Sequence, residues 1–276
     1  MSDNGLLEFP SPLRHLKAID FDTKSDLQPS YENSWAIIIG INNYVHLNKL
    51  EIAVKDALGI AEVLSTRLNF PRENIFLSLD PKPDPDETPY ILPGNVRLST
   101  KAEIEDLFLN LLPERAGVND RVLVFYAGHG EQRPVPGEKE ESGAFLIPAD
   151  AQPGKWNSYI DWETMRRAGD DFCRAKHIFY ILDACYSGIV NTRDAGEPPR
   201  EMRDALTSRA RQALAAGTSR QVVADRGRGG HSPFTWHLIQ GLSGAAADPE
   251  RSIDGANISA HDLIGYVRHK VSEENS

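Results

Sequence analysis

The distribution of apolar residues along the chain predicts buried β-strands. Four short runs are largely apolar and rich in β-branched or aromatic residues, which is typical of strands covered on both faces. These runs are Trp35–Ile41, Ile75–Leu79, Val122–Tyr126 and His177–Leu182. Weaker patterns predict two more short strands, at Phe145–Ile147 and Ala213–Ala216.

Helical periodicity separates these strands. Apolar residues recur at helical spacing from Ala53 to Leu68 and stop before Pro71. Capping residues predict four further helices, which begin after Thr100, Asp161, Ser232 and Ser259. Strands that alternate with helices predict an α/β domain with a mostly parallel central sheet and helices on both faces.

Three regions of different character divide the chain. Residues 1–33 are polar and interrupted by prolines, so we interpret them as an N-terminal arm outside the core. Residues 34–276 are most simply a single domain. Within it, residues 189–211 are polar, arginine-rich and broken by Pro198-Pro199, which predicts an exposed linker.

Two reactive side chains follow predicted strands. His129 lies three residues beyond Val122–Tyr126, and Cys185 lies three residues beyond His177–Leu182. Ligands of parallel sheets bind outside the carboxyl ends of the strands, so neighbouring strands would bring the two side chains together. A histidine beside a cysteine supplies the base for a nucleophilic thiolate. Taken singly, each is more often structural, and their joint placement favours catalysis.

Glycines surround both side chains. Gly128 and Gly130 flank His129, and Gly188 follows Cys185, which lets a substrate backbone approach closely. The amide N–H groups of Gly130 and Cys185 are candidates to bind a developing oxyanion. Cys173 has no such setting and is interpreted as structural. The remaining histidines show no metal-like clustering, so no zinc site is predicted.

Composition and charge limit the classes of molecule that the protein could bind. The formal net charge is −10 and the isoelectric point about 5.3, which disfavours nucleic acid or an anionic membrane and fits a basic substrate. Two cysteines cannot form a disulfide framework. The sequence shows no signal-peptide pattern and no apolar stretch near the ~20 residues of a membrane span. We therefore expect a cytoplasmic protein.

Two motifs resemble a known family. Tyr126–Gly130 (YAGHG) and Asp183–Gly188 (DACYSG) resemble the histidine and cysteine motifs of caspase-like cysteine peptidases, closest to metacaspases and bacterial caspase homologues (orthocaspases). Trp35–Tyr44 is similar to their first strand, and the resemblance covers about residues 34–245. It implies a caspase-type three-layer sandwich and hydrolysis of peptide bonds through an acyl-enzyme. Cys185 would be the nucleophile and His129 the general base.

The resemblance also implies a preference for basic substrates. Asp183 and Asp56 match the acidic positions of the pocket with which metacaspases bind Arg or Lys. Paired carboxylates suit a desolvated guanidinium. A solvated helix residue is the rival interpretation of Asp56. Ala127, Ala53 and Lys55 depart from the family pattern, where a serine, a cysteine and an asparagine are common.

Calcium is the one cofactor that the resemblance raises. Asp150 and Asp161 match positions of the family's calcium site, but Trp162 stands where a second adjacent aspartate is usual. Calcium prefers six to eight oxygen ligands. We therefore predict no metal ligands and no cofactor, with calcium as the alternative.

The linker suggests regulation. Its basic residues are Arg193, Arg200, Arg203, Arg209 and Arg211. A segment tethered beside an acidic pocket is a candidate internal substrate. One hypothesis is therefore a zymogen cut within residues 193–211, by itself or by an upstream protease, and an ordinary solvated loop is the equal rival. The functional alternatives are a catalytically silent caspase-like scaffold or interaction module, and another thiol hydrolase such as an amidase. A monomer is favoured.

Overall fold

The computed structural model describes residues 31–132, 143–184, 210–216, 228–247 and 258–274. Cys185, Gly188, nearly all of the predicted arm and the linker up to residue 209 lie outside these ranges.

A parallel sheet forms the centre of the molecule. The strands are β1 (Ser34–Ile41), β2 (Ile75–Asp80), β3 (Val96–Arg97), β4 (Arg121–Ala127), β5 (Gly130–Gln132), β6 (Ala144–Leu146), β7 (Ile160–Asp161), β8 (His177–Asp183) and β9 (Ala210–Ala215). In the described residues six of them pair in the order β3-β2-β1-β4-β8-β9, and every pairing is parallel. β5, β6 and β7 form a small antiparallel sheet.

The four helices predicted from capping residues begin where expected. The helices are α1 (Ala53–Arg67), α2 (Lys101–Asp106), α3 (Leu112–Arg115), α4 (Trp162–Asp171), α5 (Pro233–Gln240) and α6 (Ala260–Glu274). Thr100, Asp161 and Ser232 each accept a backbone N–H of the first turn of their helix. A π-helical turn, Leu107–Leu111, joins α2 to α3, and a second, Gly241–Ala245, extends α5. No helix in the described ranges has the length and apolar character needed to cross a bilayer.

Side chains of β1 alternate between two hydrophobic cores. Ile37 and Ile39 belong to the core beneath α2, α3 and α4. Ala36 and Ile38 belong to the opposite core, which α1, α5 and α6 cover. A strand buried on both faces must be apolar at every position, which explains the unbroken run in the sequence. The predicted three-layer α/β sandwich is confirmed.

Some elements differ from their prediction. The strand predicted at Phe145–Ile147 is β6, and it pairs in the small antiparallel sheet rather than the central one. β3, β5 and β7 are two or three residues long, too short to produce an apolar period. β9 begins at Ala210, so residues 210–211, predicted as part of the linker, belong to the central sheet.

Candidate active site

The pairing of β4 with β8 brings the two motifs to the same edge of the sheet. Ala127 is the register partner of Asp183, the last pair of that ladder. The N–H of Gly128 donates to the carbonyl of Asp183 at 3.3 Å, which extends the pairing beyond both strands. His129 and Cys185 each lie two residues beyond the last pair. The described chain ends at Ala184 here, so the dyad itself stays a prediction.

The backbone of Asn48 contacts the imidazole of His129 at Nε2. Nε2 of His129 lies 2.9 Å from the backbone oxygen of Asn48. A carbonyl oxygen only accepts, so Nε2 carries the hydrogen and Nδ1 holds the lone pair of the neutral ring. The ring also packs against Tyr44, with centroids 4.6 Å apart. These contacts leave Nδ1 as the basic atom of this histidine.

Two tyrosines fix the backbone around His129. The N–H of His129 donates to the hydroxyl of Tyr44 at 2.8 Å, and the hydroxyl of Tyr126 donates to the carbonyl of His129 at 2.6 Å. Gly128 lies under both hydroxyls, because a Cβ there would come within 2.6 Å of Tyr44 Oη and 2.7 Å of Tyr126 Oη. Burial raises the pKa of Tyr44, so its hydroxyl stays neutral. Glycine is therefore required at position 128 by these tyrosines, a reason that the sequence pattern does not reveal.

Gly130 begins β5 with its amide directed away from β6. The N–H of Ile147 donates to the carbonyl of His129 at 3.2 Å, so His129 occupies a hydrogen-bonded position of the antiparallel pair. The next pair, Gly130 with Leu146, is then of the non-hydrogen-bonded kind, whose amides point outward. The Gly130 N–H therefore points away from β6 and is a candidate oxyanion donor. Its role stays a prediction.

The two predicted pocket acids are buried and share one partner. Asp56 is 1 % exposed and Asp183 is 7 % exposed. The N–H of Ser232 donates to Asp56 Oδ1 at 3.2 Å, while its hydroxyl donates to Asp183 Oδ2 at 2.5 Å. The hydroxyl of Thr235 also donates to Asp183 Oδ2, at 2.6 Å. The interpretation of Asp56 as a solvated helix residue is therefore wrong, because its carboxylate points into the protein.

Burial and mutual repulsion control the charge of this acid pair. Loss of solvent, reinforced by the negative charge of Asp56, raises the pKa of Asp183 to about 7. Burial also raises the pKa of Asp56, and hydrogen bonding and charge from His231 oppose that rise. Nδ1 of His231 lies 2.8 Å from Asp56 Oδ1. His231 was not predicted from the sequence. The available signals were that buried carboxylates require donors and that His231 directly precedes the capping residue Ser232.

The residues that resemble calcium ligands cap helices instead. Asp150 Oδ1 accepts the N–H of Lys101 at 2.9 Å, and Asp161 accepts the N–H groups of Glu163 and Thr164. Across the described ranges, no three His, Cys, Asp or Glu side chains are grouped as metal ligands. These two capping carboxylates do not fit the six to eight oxygens that calcium prefers.

Comparison with known proteins agrees with this architecture. The sequence model of the caspase domain family matches residues 33–276. Metacaspase-1 of Eremothecium gossypii is 28 % identical over 167 residues, which cover 56 % of this chain and 32 % of the relative. Metacaspase-1A of Aspergillus oryzae is 27 % identical over 155 residues, which cover 55 % and 34 %. The crystal structure of Caspase-1 from Spodoptera frugiperda superposes with a TM-score of 0.53 at 14 % identity, covering 90 % of this chain and 80 % of that one.

The family match over residues 33–276 defines the class of this protein, and the three-layer α/β sandwich agrees with it. The chain belongs to the caspase domain family of cysteine peptidases, and its curated relatives are metacaspases. It spans about a third of the length of the two metacaspases compared here.

Proposed function

We propose that this protein is a cysteine endopeptidase that cleaves after Arg or Lys, with Cys185 as nucleophile and His129 as general base. The observation that carries the proposal is the register of β4 and β8, which ends at Ala127 and Asp183. In the sequence, each reactive residue follows that one pair at the same offset of two positions. A peptide bond held between them would meet a base and a nucleophile together.

The chemistry follows from the tautomer of His129. Nδ1 takes the proton of the Cys185 thiol, and the thiolate attacks the carbonyl carbon of the scissile bond. The Asn48 carbonyl at Nε2 stabilises the imidazolium that forms. The N–H groups of Gly130 and Cys185 bind the oxyanion of the tetrahedral intermediate. His129 then protonates the leaving amine, which leaves a thioester on Cys185.

Water completes the reaction. His129 removes a proton from a water molecule, whose oxygen attacks the thioester carbonyl. The second tetrahedral intermediate expels the Cys185 sulfur, which regains its proton from His129. The carboxylic acid product leaves, and the enzyme returns to its starting protonation state.

The acid pair supports the preference for basic substrates. Asp56 and Asp183 are held by shared donors at the amino end of α5, and Asp183 directly precedes the segment that holds Cys185. A guanidinium or ammonium that entered beside them would favour their ionised forms and gain the full interaction of two desolvated carboxylates. An aspartate side chain would be repelled.

Regulation by cleavage in the linker is part of the proposal. The segment that can be cut is shorter than residues 193–211, which the sequence indicated. Arg211 lies in β9 and forms an ion pair with Asp170, with Nε of Arg211 3.1 Å from Oδ1 of Asp170. Its guanidinium also donates to the carbonyls of Cys173 and Ala175. A peptidase needs an extended, accessible segment, so the candidate cleavage sites reduce to the arginines between 193 and 209.

Short fluorogenic peptides test the proposal. We expect cleavage after Arg and Lys but not after Asp, and a peptide electrophile that labels Cys185 but not the buried Cys173. Cys185→Ala abolishes cleavage, whereas Cys173→Ala, its matched control, retains it. If no peptide is cleaved and Cys185 is not labelled, the proposal fails in favour of a silent caspase-like scaffold.

A further inference from the structure

A largely buried histidine contacts the acid pair and takes no part in the proposed proton transfers. His231 precedes the capping residue of α5, and its Nδ1 lies 2.8 Å from Oδ1 of Asp56. The side chain of Asp56 is 2 % exposed and that of His231 is 14 % exposed. Both side chains are therefore largely removed from solvent.

The backbone around His231 is shaped to hold this ring. A Cβ at Gly59 of α1 would come within 2.7 Å of Cε1 of His231, so only glycine leaves room for the imidazole there. The N–H of His231 donates to the carbonyl of Arg228. These contacts place the ring between α1 and the turn before α5, with Nδ1 directed at the acid.

We propose that His231 is a specificity-determining residue, which keeps Asp56 ionised and oriented so that the acid pair can select a basic side chain. The inference rests on the proposed preference for Arg or Lys. An ionised Asp56 needs donors, and within the described residues it has two, the N–H of Ser232 and Nδ1–H of His231. Removal of the second donor leaves a buried charge only partly compensated.

Removal of His231 changes the charge of the acid pair rather than its shape. Burial raises the pKa of Asp56, and the interaction with His231 is the main opposing influence. Without His231, Asp56 takes up a proton, and the pocket offers one negative charge fewer. Lys55 packs against Gly230, the residue before His231, and Asp183 is reached through Ser232. Arg228 pairs with Glu274 of α6.

Two variants of His231 separate positioning from packing. His231→Ala removes the donor, whereas His231→Asn keeps an amide N–H close to the position of Nδ1. The substrates are matched peptides that end in Arg or in citrulline, which has nearly the same shape without the charge. We expect His231→Ala to raise KM for the Arg peptide about tenfold, the effect of one hydrogen bond to a charged group, with kcat within about twofold. The preference for Arg over citrulline falls by the same factor.

His231→Asn should restore KM to within about threefold of the wild type. His237→Asn is the matched control, because His237 is a buried histidine of α5 that pairs with Glu274 rather than with the acids. We expect its KM and its Arg preference to remain unchanged. Melting temperatures of all variants show whether each one folds.

The outcomes distinguish this inference from the proposed function. A wild type that does not prefer Arg over citrulline overturns the proposed function and the inference with it. If the wild type prefers Arg and His231→Ala retains that preference, only the inference is overturned. A loss of kcat in His231→Ala that His231→Asn does not restore assigns His231 a purely structural role and also overturns it.

Discussion

Nε2 of His129 and the backbone oxygen of Asn48 are 2.9 Å apart, and this single contact fixes which nitrogen of the ring is basic. Because the acceptor is a main-chain atom, no substitution removes it directly. The position of the ring instead depends on Tyr44, whose hydroxyl accepts the His129 N–H.

Tyr44→Phe tests this support. Loss of the hydroxyl leaves the His129 N–H without its acceptor and frees the ring to move, which costs about 1–3 kcal/mol at a buried site. We expect kcat to fall about tenfold while KM changes little, as measured with the Arg peptide. Tyr90→Phe is the control, since the hydroxyl of Tyr90 donates to the carbonyl of Leu58 at 3.5 Å. Equal kinetics in the two variants would contradict the assignment.

Gly128→Ala tests the space beneath the two tyrosines. The added methyl group would meet Tyr44 Oη at 2.6 Å and Tyr126 Oη at 2.7 Å, so both hydroxyls must shift. Overpacking of this kind costs about 1–3 kcal/mol. We expect a lower melting temperature together with loss of peptide cleavage. Gly94→Ala should change neither, because nothing lies within 4 Å of a Cβ there.

The acid pair predicts a specific dependence on pH. The pKa of Asp183 is raised to about 7, so its buried carboxylate is mostly protonated below that pH and ionised above it. Binding of a basic side chain requires the ionised form, so kcat/KM for the Arg peptide should fall as pH drops through about 7. The citrulline peptide, which does not need the charge, should show a weaker dependence in the same range.

The raised pKa of Asp183 also means that its ionised carboxylate destabilises the folded protein at high pH. A carboxyl whose pKa is raised on folding binds its proton more tightly in the folded state, so its contribution to stability falls as pH rises from about 4 to 7. Asp183→Asn removes that cost. We expect its melting temperature to exceed that of the wild type by about 2–4 °C at pH 8, corresponding to ~1 kcal/mol. The difference should shrink as the pH falls from about 7 towards 4. Asp183→Asn should also lose cleavage of the Arg peptide. Asp86→Asn, at an exposed aspartate, is the control and should change neither the melting temperature nor the cleavage.

Mapping of self-cleavage fragments tests the linker. Purified wild-type protein should yield new amino termini only after arginines between 193 and 209, and Cys185→Ala should remain intact. A cut after Arg211 would require β9 to leave the sheet, because the guanidinium is held by Asp170. A cut found there would contradict the described position of that strand.

The sequence predicts the sheet well because strands buried on both faces must be continuously apolar. It also predicts the helix starts, since Asp161 and Ser232 cap their helices through local bonds. It does not reveal Asn48 or His231, because their roles depend on contacts with residues 81 and 175 positions away. No local pattern encodes such pairs. The sequence left the burial of Asp56 open for the same reason, because part of its amphipathic helix is solvated.

Ser232 contacts both carboxylates but follows them along the chain, on the far side of the linker. A cut between residues 185 and 209 would therefore leave both carboxylates on one polypeptide and their donors on the other. In the described residues, those polypeptides would be joined by the six register pairs of β8 with β9, from His177–Ala210 to Leu182–Ala215, and by the packing of α1 against α5. Substrate preference would then be a property of a heterodimer, and conditions that dissociate the two pieces would abolish it without altering any side chain.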